Sequence, residues 1–155
     1  MTVYYGSAYL FTFPIRLGIT EINSEYYRNI LYYTKSKYFN GIIGGNKTSS
    51  FYFVGSVNSK LIYLDPHYVS NYNLLQNIEE YYTKNINYLD IKNLSPTFSI
   101  CFYCKNFNEI SELINILKSV PDKKNNIIEV TEYELKSECN TYTIQEAGEQ
   151  WEFIE

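Results

Sequence analysis

Apolar and aromatic residues gather along the chain in short runs bounded by glycine, proline and asparagine. Such runs cover residues 3–17, 51–55, 60–64 and 97–104 and predict strands. Residues 57–59 separate the second run from the third and are typical of a hairpin turn. The pattern therefore predicts a mainly antiparallel sheet.

Three other segments repeat apolar residues every three or four positions, which is the spacing of one helix face. They predict helices over residues 25–35, over about 74–82, and from Asn108, as the cap, to residue 120. The glycine-punctuated segment 40–50 is interpreted as a loop. A mainly antiparallel sheet with flanking helices predicts an α/β (α+β) fold.

A change in composition after Pro121 divides the chain into two parts. With 155 residues, the chain is long enough for one domain with a buried core. Beyond Pro121 the sequence becomes acidic and polar, and clustered apolar residues become few. We therefore predict a domain over residues 1–120 and an acidic, flexible tail over residues 121–155.

The tail ends with an aromatic and an aliphatic residue three positions apart, Trp151 and Ile154, among glutamates. Side chains at this spacing can fill two pockets of a partner protein while the extended backbone adds a strand to the partner's sheet. The alternative is that Trp151 folds back onto the domain. The tail is therefore a candidate for partner binding.

Charge and hydropathy exclude several functional classes. The net charge is −4 and no basic stripe is interleaved with the aromatic residues, which excludes a groove for nucleic acid. We expect neither a signal peptide nor a membrane span, because no apolar run has the required length. Three cysteines are too few and too unevenly spaced for a disulfide framework, which favours a reducing, cytoplasmic location.

Two of the cysteines, Cys101 and Cys104, have the C-x-x-C spacing of zinc and redox motifs. They lie in a predicted strand, and no second Cys/His pair is present to complete a tetrahedral zinc site. We interpret them as strand cysteines with one side chain buried, and a redox pair is the alternative. No metal site is predicted.

The candidate catalytic residues lie at the end of the strand predicted over residues 60–64. An apolar run stops there at Asp65, Pro66 and His67, the only histidine of the sequence. Residues two apart in an extended backbone point to the same face, so the carboxylate and the imidazole can lie side by side. A carboxylate that fixes the imidazole tautomer prepares the ring to act as a general base that activates a nucleophile. The alternative is a polar turn that ends a buried strand.

Six short motifs follow one another along the chain: residues 14–23 (PIRLGITEIN), 41–45 (GIIGG), 52–55 (YFVG), 61–67 (LIYLDPH), 94–96 (LSP) and 102–104 (FYC). The ordered set extends from about residue 14 to residue 120 and is far more specific than any single motif in it. It resembles the autophagy-related cysteine proteases, which are papain-like enzymes.

The resemblance implies the C-terminal half of a papain-like fold and a cysteine-type endopeptidase that needs no cofactor. Enzymes of this family cleave after the C-terminal glycine of the ubiquitin-like autophagy modifier and later release the modifier from phosphatidylethanolamine on membranes. By the same resemblance, Asp65 and His67 are the aspartate and histidine of the catalytic triad. It also implies a gate over the active-site entrance, formed by Asn46, Lys47, Thr48 and Ser49.

The sequence departs from the family pattern at two places. The family's gate usually reads G-G-K-P-N-S, whereas residues 44–49 here read GGNKTS and lack the proline. The family's nucleophilic cysteine lies in a tryptophan- and glycine-containing segment upstream of the Pro-Ile-Arg-Leu-Gly motif, a context that Cys101, Cys104 and Cys139 do not match. We therefore expect this chain to be inactive alone, with the nucleophile supplied by a missing N-terminal half of the same enzyme.

The tail motif suggests an alternative function. Residues 151–154 are similar to the short modifier-interacting motif, an aromatic-x-x-aliphatic sequence flanked by acids, that family members often carry at the C-terminus. On this reading the chain is a non-catalytic module that binds the modifier through Trp151 and Ile154.

Overall fold

The computed structural model of the protein describes residues 8–67, 86–131, 141–146 and 149–154. Its main feature is a six-stranded sheet in which all described neighbours are antiparallel. The strands are β1 (Tyr9–Arg16), β2 (Phe39–Gly45), β3 (Ser50–Val57), β4 (Lys60–Leu64), β5 (Asn87–Asp90) and β6 (Thr97–Cys104). Their order across the sheet is β1-β6-β2-β3-β4-β5. The predicted α/β (α+β) fold with an antiparallel sheet is confirmed.

Among the described residues, two α-helices lie beside the sheet. They are α1 (Tyr27–Tyr33), which follows a 3-10 turn at Ser24–Tyr26, and α2 (Phe107–Lys118). The prediction of Asn108 as the cap of the second helix is wrong. The cap is Asn106, whose side-chain oxygen accepts from the backbone N–H of Glu109 at 3.2 Å. Both asparagines can cap a helix, and only the backbone geometry decides between them. The helix predicted over residues 74–82 lies outside the described residues.

The interpretation of residues 40–50 as a loop is also wrong, because most of them form the central strand β2. Ile42 is fully buried and lies in register with Ile100 of β6 and Phe53 of β3. At Gly41 the backbone φ is 155°, and a Cβ would come within 2.5 Å of the ring of Tyr52. Glycine normally weakens strands, but here it allows this ring to lie over the backbone.

The hydrophobic core lies between one face of the sheet and the two helices. Tyr33 of α1 meets Phe102 of β6 edge to face, with ring centroids 5.9 Å apart. Seven of the largest fully buried side chains come from helix α1 and from β2, β3, β4 and β6: Ile30, Tyr33, Ile42, Phe53, Leu61, Ile100 and Phe102. The core therefore unites segments that are far apart in the sequence.

The packed domain extends beyond the boundary predicted at residue 120. Ile128 is buried in the same core, and Asn126 accepts a hydrogen bond of 2.6 Å from the hydroxyl of Tyr33. The sequence does not predict this packing, because the lysines and asparagines of residues 123–126 precede a very short apolar group, Ile127, Ile128 and Val130.

Farther along, β7 (Thr141–Glu146) and β8 (Glu149–Ile154) form an antiparallel pair in which Trp151 lies opposite Ile144. Ile154 lies opposite Thr141 in the same pair. The flexibility of the tail stays a prediction. Within the described part of the chain, no helix has the length and apolar character needed to cross a membrane.

The two described cysteines are both free and buried, and they lie on opposite faces of β6. Cys104 belongs to the core, whereas the sulfur of Cys101 lies 3.6 Å from the hydroxyl of Thr12 on the other face. Because a disulfide needs Cβ atoms about 3.8 Å apart, these two thiols cannot form one without breaking the strand. The redox alternative for the C-x-x-C sequence is therefore wrong.

We expect the thiols of Cys101 and Cys104 to react with an aromatic disulfide reagent at least about tenfold more slowly in the folded chain than in urea. Burial is the main cause, and it also raises the pKa of the Cys104 thiol. The rate is measured in a Cys139→Ser background so that only these two thiols contribute. Rapid reaction of both thiols in the folded protein would contradict this placement.

Candidate active site

Asp65 and His67 lie at the end of the sheet where residues 46–49 connect β2 to β3. Leu64, the last residue of β4, is in register with Tyr52 of β3, so the residues after it continue toward that connection. Two features fix the position of β4. Leu61 is fully buried in the core, and the ring centroids of Tyr63 and Phe51 lie 4.2 Å apart. Strand register therefore brings the candidate dyad and the candidate gate to the same end of the sheet.

The two side chains form the pair that the sequence predicts. Oδ1 of Asp65 lies 2.6 Å from Nδ1 of His67 and also accepts a 3.0 Å hydrogen bond from the backbone N–H of His67. The Asp65 side chain is 20% exposed and the His67 side chain 60% exposed. The carboxylate is therefore partly enclosed, while the imidazole faces outward.

The protonation state of Asp65 determines the tautomer of His67. The backbone N–H of His67, and then its side chain, hold the pKa of the Asp65 carboxyl below its ordinary value. An ionised carboxylate only accepts hydrogen bonds, so Nδ1 of His67 carries the proton that faces it. Nε2 of the neutral ring is then left with a lone pair, which is the state required of a general base.

Neither described cysteine is placed to be the nucleophile that this base would activate. Cys104 is in register with Tyr9, at the end of the sheet opposite to His67. Cys101 is buried beside Thr12. Cys139 lies outside the described residues.

The candidate gate is a compact turn built around the side chain of Asn46. Its Oδ1 accepts from the backbone N–H groups of Thr48 and Ser49 at 2.9 and 2.8 Å and from the hydroxyl of Thr48 at 3.0 Å. The backbone N–H of Asn46 donates to the carbonyl of Ser49 at 2.9 Å. A Cβ at Gly45 would collide with that carbonyl, so glycine is required there. Local hydrogen bonds thus shape this loop, which has no proline.

A cavity of about 310 Å³ lies beside this turn. Lys47 and Glu21, which both line it, form an ion pair with Nζ and Oε1 3.8 Å apart. The sequence did not predict this cavity, because its walls come from three separate segments. The cavity is lined by Thr20, Glu21, Asn46, Lys47, Thr48, Leu89, Lys92, Asn93, Leu94 and Ser95.

The predicted partner-binding residues, Trp151 and Ile154, lie on β8 in the separate two-stranded sheet.

We expect the Asp65 carboxyl to titrate below the ordinary aspartate range in a carbon-detected NMR experiment. Because its pKa is lowered in the folded state, this carboxylate contributes its full stabilisation at pH values above the ordinary aspartate pKa. That contribution is lost as the pH falls through the lowered pKa. In His67→Ala the pKa should rise only part of the way, because the first cause, the backbone N–H of residue 67, remains. An Asp65 pKa that does not change in the variant would contradict the side-chain contact.

Comparison with known proteins connects this geometry to a family. A family model described as the peptidase C54 catalytic domain matches residues 4–116. The chain is similar to cysteine protease ATG4 of Candida albicans, with 41% identity over 123 residues that cover 79% of this chain and 27% of the relative. It is also similar to a probable cysteine protease ATG4 of Scheffersomyces stipitis, with 34% identity over 74% of this chain and 22% of the relative.

A vertebrate relative agrees with the two fungal proteins. Cysteine protease ATG4C of Xenopus laevis is 33% identical over 114 residues, which cover 68% of this chain and 25% of the relative. The chain therefore spans about a quarter of the length of these relatives. The resemblance to the autophagy-related cysteine proteases is confirmed, and the chain belongs to the peptidase C54 family of ATG4 cysteine proteases.

Proposed function

We propose that this chain supplies the general base of a cysteine endopeptidase that processes the ubiquitin-like autophagy modifier and releases it from phosphatidylethanolamine. The observation that carries the proposal is the Asp65–His67 pair, with 2.6 Å between Oδ1 and Nδ1, in a chain of the C54 family. Because both described cysteines are free thiols, the proposed location is the cytoplasm.

In the proposed mechanism, Nε2 of His67 takes the proton from a cysteine thiol that belongs to the part of the peptidase domain outside this chain. The thiolate attacks the carbonyl carbon of the modifier's C-terminal glycine, and the tetrahedral intermediate collapses to a thioester. The imidazolium gives its proton to the leaving amine. His67 then deprotonates a water molecule, which attacks the thioester and frees the glycine carboxylate. Asp65 orients the ring and stabilises its charged form.

The same chemistry serves both substrates, because each contains an amide on the carbonyl of that glycine. In the precursor the leaving amine is the next residue, and in the lipidated modifier it is the ethanolamine amine. The turn at residues 46–49 would act as the gate, opening when the modifier's extended C-terminus enters. Its internal hydrogen bonds to Asn46 favour one compact shape.

The proposal is tested with a chimera of the Candida albicans relative in which the matched 123-residue segment is replaced by the corresponding residues of this chain. The chimera should cleave a modifier precursor at its C-terminal glycine, and the same protein with the segment deleted should not. Hydrolysis of lipidated modifier in vesicles is measured in parallel. A folded chimera without activity on either substrate would overturn the proposal.

A second candidate function is binding of the modifier through Trp151 and Ile154 without catalysis. It is favoured by the extended backbone of β8, the conformation in which a short motif adds a strand to a partner's sheet. The 155-residue chain alone should then retain the modifier in a pull-down. Retention should be lost in Trp151→Ala and unchanged in His67→Ala, whereas equal retention of both variants would contradict the role of the motif.

A further inference from the structure

The cavity beside the candidate gate is held together by backbone hydrogen bonds between the segments around it. The backbone N–H of Ser95 donates to the carbonyl of Gly45 at 2.8 Å, and the N–H of Leu17 donates to the carbonyl of Pro96 at 2.9 Å. Leu94 is buried and forms part of the lining. The volume of about 310 Å³ lies within the usual range of small-molecule sites, about 300–1,000 Å³. The cavity is therefore built into the fold and can hold a small ligand.

Among the described residues, two lysines and one glutamate give the lining its charge. Nζ of Lys47 lies 3.8 Å from Oε1 of Glu21, and Nζ of Lys92 lies 3.9 Å from Oδ2 of Asp90. Both distances exceed the roughly 2.7–2.9 Å of a strong charge-assisted hydrogen bond. Because a lysine ammonium has three donors, each lysine can still donate to a ligand. The lining therefore complements a ligand that carries both a phosphate and an amine.

We propose that this cavity binds the phosphoethanolamine head group of the lipidated modifier, and we call it the head-group site. Lys47 and Lys92 donate to the phosphate oxygens. Glu21 faces the amine, which takes up a proton and becomes an ammonium at neutral pH once hydrolysis has released it. This inference rests on the proposed function, because the head group is the leaving group of one of the two proposed substrates.

The position of the cavity suits this ligand. Asn46, Lys47 and Thr48 belong both to its lining and to the candidate gate, at the end of the sheet that carries His67. Only two carbon atoms separate the nitrogen of the scissile amide from the phosphate, so a site for this phosphate has to lie near the catalytic base. The precursor has a peptide in place of the phosphate, and the head-group site therefore distinguishes the two substrates.

The glutamate favours the whole head group over a free phosphate ion. Inorganic phosphate has no amine to meet Glu21, and the carboxylate repels a second anion in the same cavity. In the head group, the amine and the phosphate have opposite charges and are joined by a short linker. The two lysines and the glutamate can therefore all be satisfied by one ligand.

Titration of the 155-residue chain with glycerophosphoethanolamine tests the site without any catalysis. The backbone amide NMR signals of Thr48 and Ser95 should shift, with a Kd of about 1 mM for a ligand of this size. Two probes should bind at least about fivefold more weakly: glycerophosphocholine, whose nitrogen has no N–H to donate to Glu21, and inorganic phosphate. Equal binding of the three probes would overturn the proposal by reducing the cavity to a general anion site. The absence of shifts at both residues would also overturn it.

Replacement of a cavity lysine tests where the phosphate binds. Lys92→Gln should weaken binding of glycerophosphoethanolamine about tenfold, because it removes a charge-assisted hydrogen bond. Lys60→Gln is the matched control, since Lys60 is also exposed and lies on β4, and it should bind this probe as the parent does. Glu21→Gln should remove the preference for glycerophosphoethanolamine over inorganic phosphate. Equal affinity of Lys92→Gln and Lys60→Gln would contradict the proposal.

The chimera separates failure of this inference from failure of the proposed function. The rate of hydrolysis of lipidated modifier, divided by the rate of precursor cleavage, should fall about tenfold in Lys92→Gln and stay within about twofold of the parent in Lys60→Gln. If both variants keep the parent ratio, this inference falls and the proposed function stands. If glycerophosphoethanolamine binds as expected but the chimera is inactive, the head-group site stands and the proposed function falls.

Discussion

Replacement of His67 by alanine should lower kcat/KM of the chimera for the modifier precursor by roughly 1,000-fold or more. In the proposed mechanism the neutral ring with a free Nε2 removes the thiol proton, and a cysteine thiol with an ordinary pKa of about 8.5 is mostly protonated near neutral pH. Asp65 cannot replace the ring, because its lowered pKa makes it a weak base. Initial rates of precursor cleavage measure the effect.

Lys60→Ala is the matched control for this prediction, because Lys60 begins the strand that His67 follows and is exposed to solvent. It should keep the activity of the parent chimera within about twofold, since exposed substitutions change stability little. Both variants must show the circular dichroism spectrum of the parent. A His67→Ala chimera that keeps more than a tenth of the activity would show that another group is the base.

The sequence predicts the dyad because its geometry is local. Asp65 and His67 are two residues apart, and an apolar strand followed by Asp-Pro-His leaves few ways to separate them. The strands β3, β4 and β6 were predicted for the same reason, since a short apolar run between turn residues carries its own signal. The candidate gate at residues 46–49 was implied only by the family resemblance, and the structure shows that this segment connects β2 to β3.

What the sequence did not predict depends on distant partners. Strand β2 has three glycines among its seven residues and becomes a strand because β3 and β6 pair with both of its edges. Strand β5, at Asn87–Asp90, is a four-residue edge strand that pairs with β4 alone. The cavity beside the gate has no local signature, since the residues that line it belong to separate segments. Strand pairing of this kind overrides local propensity.

The strongest example of such a distant contact is Asn29, and its replacement by alanine should lower the free energy of unfolding by about 3 kcal/mol. This side chain of α1 is fully buried. Its Nδ2 donates to the carbonyls of Asp122 and Asn125, both at 2.7 Å, and its Oδ1 accepts from the backbone N–H of Asp122 at 3.2 Å. Alanine would leave three backbone groups without their hydrogen-bond partner. The resulting loss is a large fraction of the free energy of unfolding of a domain this size.

Urea unfolding of the full chain measures this effect as a lower midpoint with an unchanged slope. Asn108→Ala is the matched control, because Asn108 is exposed within α2, and its free energy of unfolding should stay within about 0.5 kcal/mol of the parent. Limited proteolysis should cut Asn29→Ala after Lys123 or Lys124 faster than the parent, since the amide of Asn29 holds that segment on the core. Equal midpoints for the two variants would show that residues 122–125 are held by the burial of Val120 and Ile128 alone.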